Sequence, residues 1–298
     1  DFLKRACKRY FKKVKISDVA LVKMVMHAVS GGRLEVMGVL QGKIEGDTMV
    51  VMDSFALPVE GTETRVNAAA EGAAYMIQYL EACEKTNKEE PGLGWYHSHP
   101  GYGCWLSGID VDTQNFNQKF QDPWLAIVVD PVRTIAQGKV QLGAFRTYPD
   151  DYKPAGDTDQ SYMSVPVDKV KDFGVHANRY YPLEVSYFKS QLDNQLLELL
   201  YSKYYVATLA SNSLSATKSY MTSSLKDLSS KIDGVESSVS HGGRMAYFTG
   251  KKKEETQLTK VAKDSTKITM EQIQGLMTQV IKNALFNGVF SETDKMAH

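Results

Sequence analysis

The segment between residues 93 and 120 constrains the fold of this chain most strongly. Residues 93–99 are mainly apolar or aromatic and predict a strand, while residues 108–120 predict a helix. The loop between them contains Gly101 and Gly103, and glycine allows the sharp backbone turns that fold such a loop back on itself. A strand followed in this way by a helix is typical of an α/β domain.

The rest of the first 150 residues continues this pattern. Strands are predicted at residues 34–40, 49–57, 124–129 and 140–146, and the polar turn between the first two predicts a hairpin. One helix is predicted between Ser17 and Gly31, and a second from residue 69 to residue 83, where apolar residues recur at intervals of three and four. Residues 1–150 therefore predict one α/β domain with a basic N-terminal extension.

The chain beyond residue 150 predicts an extension of this domain followed by an assembly segment. Residues 151–210 are interpreted as a loop and a helix at about 188–209, and residues 211–255, rich in Ser, Thr and Lys, as a partly mobile polar linker. Met270, Ile273 and Met277 recur at helical spacing, so residues 256–298 predict a C-terminal helix. Amphipathic helices outside a core need a surface to pack against, and the core domain, the other helix or another protein subunit would each supply one.

Charge and cysteine content argue against several classes of function. The 35 basic and 35 acidic residues give zero net charge, so no overall field attracts the chain to nucleic acid or to an anionic membrane. The 3 cysteines form no C-x-x-C pair, which argues against a disulfide framework and favours a reducing compartment. No apolar stretch approaches the roughly 20 residues of a membrane helix, and no secretory signal is recognisable. We therefore expect neither nucleic acid nor membrane among the partners.

Three residues in and after the predicted strand carry a metal-binding hypothesis. His97 and His99 are two positions apart, so their side chains share one face of a strand, about 6.5–7 Å apart along the backbone. Asp110 follows the loop and offers a third ligand of a type that zinc accepts. Two histidines and one carboxylate leave the fourth position of a tetrahedral zinc ion open for water, as in catalytic rather than structural sites.

Each of these residues also has an ordinary structural explanation. An H-x-H pair by itself is more often a surface or core pair than a metal site, and Ser107 with Asp110 has the S-x-x-D spacing of a helix capping box. The two interpretations of Asp110 are compatible, because a capped helix start places its carboxylate on the first turn, facing the histidines. Cys104 is interpreted as a packing residue rather than a ligand or nucleophile.

Glu35 is the candidate general base for a water molecule activated by zinc. It lies in the otherwise apolar segment 34–40, where burying a carboxylate is costly unless it has a purpose or a partner. A solvent-facing glutamate on an edge strand explains the same residue without catalysis. The catalytic interpretation therefore depends on the histidine motif.

Glu35, the HSHP sequence of residues 97–100, and Ser107 with Asp110 together resemble the JAMM signature of the MPN-domain metalloprotease family. The resemblance covers about residues 16–150 and implies an MPN-type mixed β-sheet flanked by helices. It also implies one zinc ion per chain, held by the two histidines and Asp110. Glu35 would act as general acid/base, and Ser107 would stabilise the tetrahedral intermediate.

The sequence on either side of the motif resembles one branch of this family of isopeptidases more than others. Residues 66–76 and 180–185 resemble the branch that removes a ubiquitin-like modifier from cullin lysines. A deubiquitinase of the proteasome-lid type shares nearly the same loop after His99 and is one alternative, and a non-catalytic MPN scaffold subunit is another. A zinc nucleobase deaminase is disfavoured, because the H-x-E and P-C-x-x-C patterns are absent.

The same resemblance implies partners, location and a form of control. We expect a catalytic subunit in a multi-subunit complex, beside an MPN-domain partner, acting on modified cullin-RING ligases in the cytoplasm and nucleus. The polar loop at residues 58–67 contains Glu63 and Arg65 and is a candidate gating loop, because an acidic side chain could take the open zinc position in place of water. An ordinary solvated loop is the alternative.

Overall fold

The computed structural model describes residues 10–58, 70–86, 90–149, 152, 165–198, 217–242 and 257–286. The strands are β1 (Lys13–Ser17), β2 (Met37–Glu45), β3 (Thr48–Ala56), β4 (Gly92–Ser98), β5 (Leu125–Val129), β6 (Leu142–Thr147), β7 (Tyr180–Pro182) and β8 (Glu184–Phe188). They form one eight-stranded sheet in the order β7-β6-β5-β4-β2-β3-β1-β8. The sheet is mixed: β4 pairs antiparallel with β2 and parallel with β5.

The helices of the described residues are α1 (Asp18–Ser30), α2 (Ala70–Lys85), α3 (Gly108–Phe120), α4 (Pro131–Gln137), α5 (Val167–His176), α6 (191–198), α7 (Lys218–Gly242) and α8 (Gln257–Phe286). Local sequence fixes several of their ends. Ser17 caps α1 by accepting the N–H of Ala20 at 3.1 Å, and Asp130 caps α4 just before Pro131. Within the described residues, no helix has the length and apolar character to span a membrane.

Alternating side chains bury both faces of the sheet. On β5, Leu125, Ile127 and Val129 belong to one hydrophobic core, whereas Ala126 and Val128 belong to another. The first core includes apolar residues of α1, and the second includes Val111 of α3 together with partly buried residues of α2. Helices therefore cover both faces of the sheet, and the predicted mixed sheet flanked by helices is confirmed.

Several individual predictions for the first 150 residues are confirmed. The hairpin is β2 and β3, and Gly46 in its turn has a positive φ of 63° that favours glycine. The helix predicted at residues 108–120 is α3. The basic N-terminal extension, in contrast, contains strand β1, in which Val14 and Ile16 are fully buried between β3 and β8.

Two predictions for the C-terminal half are wrong in part. Phe188 ends strand β8 rather than beginning a helix, and α6 occupies 191–198, beyond which residues 199–209 lie outside the described residues. The predicted linker at 211–255 contains helix α7 over Lys218–Gly242. Its serines obscured an apolar repeat at intervals of three and four, and packing against α8 stabilises a helix that composition alone disfavours. The repeat consists of Met221, Leu225, Leu228, Ile232 and Val235. The domain boundaries themselves stay predictions.

Candidate active site and metal centre

His97 lies near the end of β4, in the middle of the sheet. Its Cα pairs with that of Met37 on β2, and the residue is 1% exposed. The imidazole stacks on the indole of Trp95, with ring centroids 4.7 Å apart, and that indole donates from Nε1 to Gln114 Oε1 on α3 at 2.9 Å. The sheet and the aromatic stack therefore orient His97 Nε2 toward the site.

His99 follows β4 and is held from both its backbone and its ring. The backbone N–H donates to the carbonyl of Val129 at 2.9 Å, and ring atom Nδ1 lies 2.9 Å from the carbonyl oxygen of Gly103. Because a carbonyl oxygen only accepts, Nδ1 carries the proton and Nε2 presents its lone pair to the site. Hydrogen bonding of one ring nitrogen in this way is what orients a histidine metal ligand.

The loop after His99 depends on two glycines and on Asp130. Gly101 and Gly103 have φ values of 91° and 92°, a region that favours glycine. Their N–H groups donate to the two carboxylate oxygens of Asp130, at 3.0 and 2.9 Å. Since Asp130 is fully buried and also caps α4, it links this loop to the sheet and to the helix behind it.

Asp110 is presented by the capping box at the start of α3. Its Oδ2 accepts the N–H of Ser107 at 2.8 Å and the hydroxyl of Ser107 at 2.6 Å. Burial acts to raise the pKa of the Asp110 carboxyl, but the charges and hydrogen bonds of His97 and His99 outweigh it and hold that pKa well below its usual range. Asp110 is therefore a carboxylate at neutral pH, which is the form that binds a metal ion.

The three side chains meet at spacings that suit a tetrahedral metal ion. His97 Nε2 lies 3.1 Å from His99 Nε2 and 3.4 Å from Asp110 Oδ2, and His99 Nε2 lies 3.7 Å from the same oxygen. Bonds of about 2.0–2.1 Å in a tetrahedron place neighbouring ligand atoms about 3.3–3.4 Å apart. The donor set of two imidazoles and one carboxylate also fits zinc, so the residues present suit the metal that the sequence predicts.

Glu35 lies beside this cluster, just before β2. It is 4% exposed, and the hydroxyl of Tyr102 donates to its Oε1. The ring of Tyr102 in turn stacks on His99 with centroids 4.5 Å apart, which brings the carboxylate next to the metal ligands. Burial raises the pKa of Glu35, outweighing the opposing effects of His99 and the Tyr102 hydrogen bond. Such a carboxylate is suited to accept and release a proton.

The structure thus brings together Glu35, His97, His99, Ser107 and Asp110, the five predicted site residues that it describes. It does not test Glu63 and Arg65, because both lie outside the described residues. Burial raises the pKa of the Cys104 thiol to about 12, which agrees with its interpretation as a packing residue.

Sequence reasoning missed the supporting residues Tyr102 and Asp130. Tyr102 lies between two glycines, and its contact with Glu35 depends on how the loop folds. The helix cap at Asp130 could have been predicted, because an aspartate after a buried strand and before a proline is typical of a helix N-cap. Its hydrogen bonds to the distant glycines, however, follow from the pairing of β4 with β5.

Comparison with known proteins supports the same assignment over most of the chain. The family described as JAB1/Mov34/MPN/PAD-1 ubiquitin protease matches residues 9–123, and the Cop9 signalosome subunit 5 C-terminal domain matches residues 210–287. The second match includes α7, in the segment that the sequence predicted as a linker.

Three relatives illustrate the similarity over most of the chain. The chain is 58% identical over 278 residues to COP9 signalosome complex subunit 5 of Dictyostelium discoideum, a match that covers 93% of this chain and 83% of the relative. It is 54% identical over 280 residues to the Drosophila melanogaster protein of the same name, covering 94% and 84%. The corresponding Caenorhabditis elegans protein is 48% identical over 277 residues, covering 93% and 74%. With its MPN domain and its C-terminal domain both matched, the chain belongs to the family of COP9 signalosome complex subunit 5 proteins.

Proposed function

We propose that the chain is a zinc-dependent isopeptidase that removes a ubiquitin-like modifier from cullin lysines, as the catalytic subunit of the COP9 signalosome. The observation that carries this proposal is the group of three ligand atoms, 3.1–3.7 Å apart, beside the buried carboxylate of Glu35. Relatives named COP9 signalosome complex subunit 5 support the choice of complex.

His97, His99 and Asp110 would hold one zinc ion. Zinc in such a site supplies Lewis-acid polarisation and lowers the pKa of water from 15.7 to about 7. Glu35 accepts a proton from the water that attacks the isopeptide carbonyl carbon. As the carbon–nitrogen bond breaks, the same carboxyl returns that proton to the departing lysine nitrogen. The burial that raises the pKa of Glu35 suits both steps, because general acid/base groups act best when their pKa approaches the working pH.

Tyr102 and Ser107 have separate supporting roles in this proposal. The Tyr102 hydroxyl donates to Glu35 Oε1 and leaves the second carboxylate oxygen to face the reaction. The Ser107 hydroxyl donates to Asp110 in the structure, and hydroxyl rotation would redirect it to the oxygen of the tetrahedral intermediate. Loss of one such donor typically costs about 2.7–4 kcal/mol of transition-state stabilisation.

The C-terminal half provides the surface for assembly with other COP9 signalosome subunits, including an MPN-domain partner. Several large apolar side chains of α8 are at least 45% exposed, which is unusual for a helix that contacts only its own chain. They are Leu258, Met270, Ile273, Leu276, Met277, Val280 and Ile281. Modified cullin-RING ligases are the proposed substrates, and the cytoplasm and nucleus are the proposed locations.

The test combines metal content with a choice of substrates. The full chain, alone and within its complex, is analysed for zinc and then offered a modified cullin and ubiquitin chains. We expect about one zinc per chain and faster cleavage of the cullin conjugate. Asp110→Asn should lose zinc and cleavage, whereas Asp233→Asn, the same change at an exposed position of α7, should keep both.

Each other outcome of this test identifies a different function. Preferential cleavage of ubiquitin chains would favour a deubiquitinase of the proteasome-lid type. A folded chain that takes up no zinc and cleaves neither substrate would favour a scaffold subunit, and it would contradict the proposal.

A further inference from the structure

Helix α8 lies against α4, the helix that supports the metal-site loop, and α7 lies against α8. Helix α8 packs against α4 and α7, and α7 also packs against α5. The approach of α8 to α4 is very close, because a Cβ atom on Gly275 would lie 2.5 Å from the carbonyl oxygen of Ala136. The assembly segment is therefore docked on the domain that carries the metal centre.

Glu271 of α8 is a buried carboxylate at this contact. It is 4% exposed; its Oε1 accepts from Gln137 Nε2 of α4 at 2.8 Å, and its Oε2 accepts from the Tyr220 hydroxyl of α7 at 3.0 Å. Burial of a carboxylate is costly unless hydrogen bonds satisfy it. This carboxylate therefore joins three helices through two hydrogen bonds.

Tyr220 continues from Glu271 to the metal-site loop. A Cβ atom on Gly101 would lie 3.4 Å from Cδ2 of the Tyr220 ring, so the ring packs directly on the backbone of that loop. Tyr220 and Tyr102 also line one cavity of about 440 Å³ beside the candidate active site. The Tyr220 ring thus rests on the loop that positions Tyr102 and His99.

A second connection passes through α4. Gln137, which donates to Glu271, ends this helix, and Asp130 caps its start. Asp130 accepts the N–H groups of both loop glycines, and Gly103 accepts from His99 Nδ1. Movement of α8 away from α4 would therefore disturb the hydrogen bonds that orient His99 Nε2.

The geometry points to Tyr220 and Glu271 as positioning residues for the metal centre: they couple the C-terminal helices to the loop that orients His99. A partner that moves α7 or α8 would then change metal binding and turnover. This inference rests on the proposed function only for turnover, because its effect on metal binding is measured separately.

The test uses the full chain and two conservative variants. In Glu271→Gln the new amide NH₂ faces either Gln137 Nε2 or the Tyr220 hydroxyl, so one of the two hydrogen bonds is lost. Tyr220→Phe removes the hydroxyl but keeps the ring. We expect each to lower zinc affinity by about threefold to tenfold, less than the 10–100-fold effect of removing a direct partner of a metal ligand. The visible absorption of the Co²⁺-substituted chain should change, and kcat should fall at saturating zinc with KM unchanged.

Glu236→Gln is the matched control, since Glu236 is an exposed residue of α7 and should leave every reading at the wild-type value. A lower melting temperature with unchanged zinc affinity and unchanged Co²⁺ spectrum would mean that the two residues are merely structural, and would overturn the inference. Tyr220→Phe decides the matter if Glu271→Gln does not fold. If the wild-type chain cleaves nothing even within its complex, the proposed function fails, while the metal readings still decide the coupling.

Discussion

Asp130→Asn tests how the chain builds its metal-site loop. The buried carboxylate accepts N–H groups from Gly101 and Arg133 on Oδ1 and from Gly103 on Oδ2, at 2.9–3.0 Å. Asparagine still caps α4 well, so the cap itself is retained. Its NH₂ group, however, would face the N–H of Gly103 and the Arg133 guanidinium, which lies 3.4 Å from Oδ2.

The loss of stability in Asp130→Asn follows from those contacts. A hydrogen bond to a charged group contributes about 1.5–3 kcal/mol, and the unpaired Gly103 donor and the lost pairing with Arg133 add to it. We expect Asp130→Asn to lower the free energy of unfolding by about 2–4 kcal/mol and to weaken zinc binding, because Gly103 orients His99. Urea denaturation and zinc competition with a chelator measure the two effects.

Asp193→Asn is the control for this substitution. Asp193 accepts one backbone N–H, that of Ser190 at 3.0 Å, far along the chain from the metal-site loop. Its loss should cost about 1 kcal/mol or less and leave zinc affinity unchanged. If Asp130→Asn changed stability and zinc affinity no more than Asp193→Asn does, Asp130 would not hold the metal-site loop in place.

Three further predictions concern other parts of the molecule. Gly38→Ala should cost about 1–3 kcal/mol or more in urea denaturation, because its Cβ would lie 2.3 Å from the Phe55 carbonyl oxygen. A Cβ atom on Gly46 would meet no neighbour, so Gly46→Ala should cost only the strain of its positive φ. If the two substitutions lowered the free energy of unfolding equally, the close contact at Gly38 would not be what determines its cost. Zinc at about 1,000 times its dissociation constant should stabilise the chain by about 4 kcal/mol in calorimetry, and identical melting temperatures with and without a chelator would argue against a metal site. Cys104→Ala should keep zinc and cleavage, since burial raises the thiol pKa to about 12; a tenfold loss of rate would show that the thiol participates.

The sequence predicted those elements in which local pattern and tertiary packing agree. Helix α3 is predicted because Ser107 and Asp110 form a capping box at its start, and the same capping box presents Asp110 to the histidines. The hairpin of β2 and β3 is predicted by two apolar runs around a polar turn. The ligand cluster could be predicted because its three residues lie within one short segment, and their types and spacing suit zinc without knowledge of the distant residues that hold the loop.

Other features depend on contacts that no local pattern contains. Lys13 and Lys15 belong to the basic run that predicted an N-terminal extension, although Val14 and Ile16 alternate with them as in a half-buried strand. Helix α7 was obscured by its serines, and it packs against α8, which begins 15 residues after α7 ends. The supporting contacts of Tyr102 and Asp130 likewise arise only when distant segments meet.

The single-turnover rate of a Glu35→Gln variant shows whether Glu35 transfers the proton during cleavage. The wild-type chain and the variant are compared within the complex on a modified cullin, with zinc content measured on the same samples. Glutamine keeps the size of the side chain but cannot accept and return the proton, so we predict full zinc occupancy with a rate lowered by about 10²–10⁴-fold. Glu84→Gln is the control: Glu84 is exposed on α2, so this variant should have the wild-type zinc content and rate. A Glu35→Gln chain that retains zinc and cleaves at the wild-type rate would contradict the proposed function of this carboxylate.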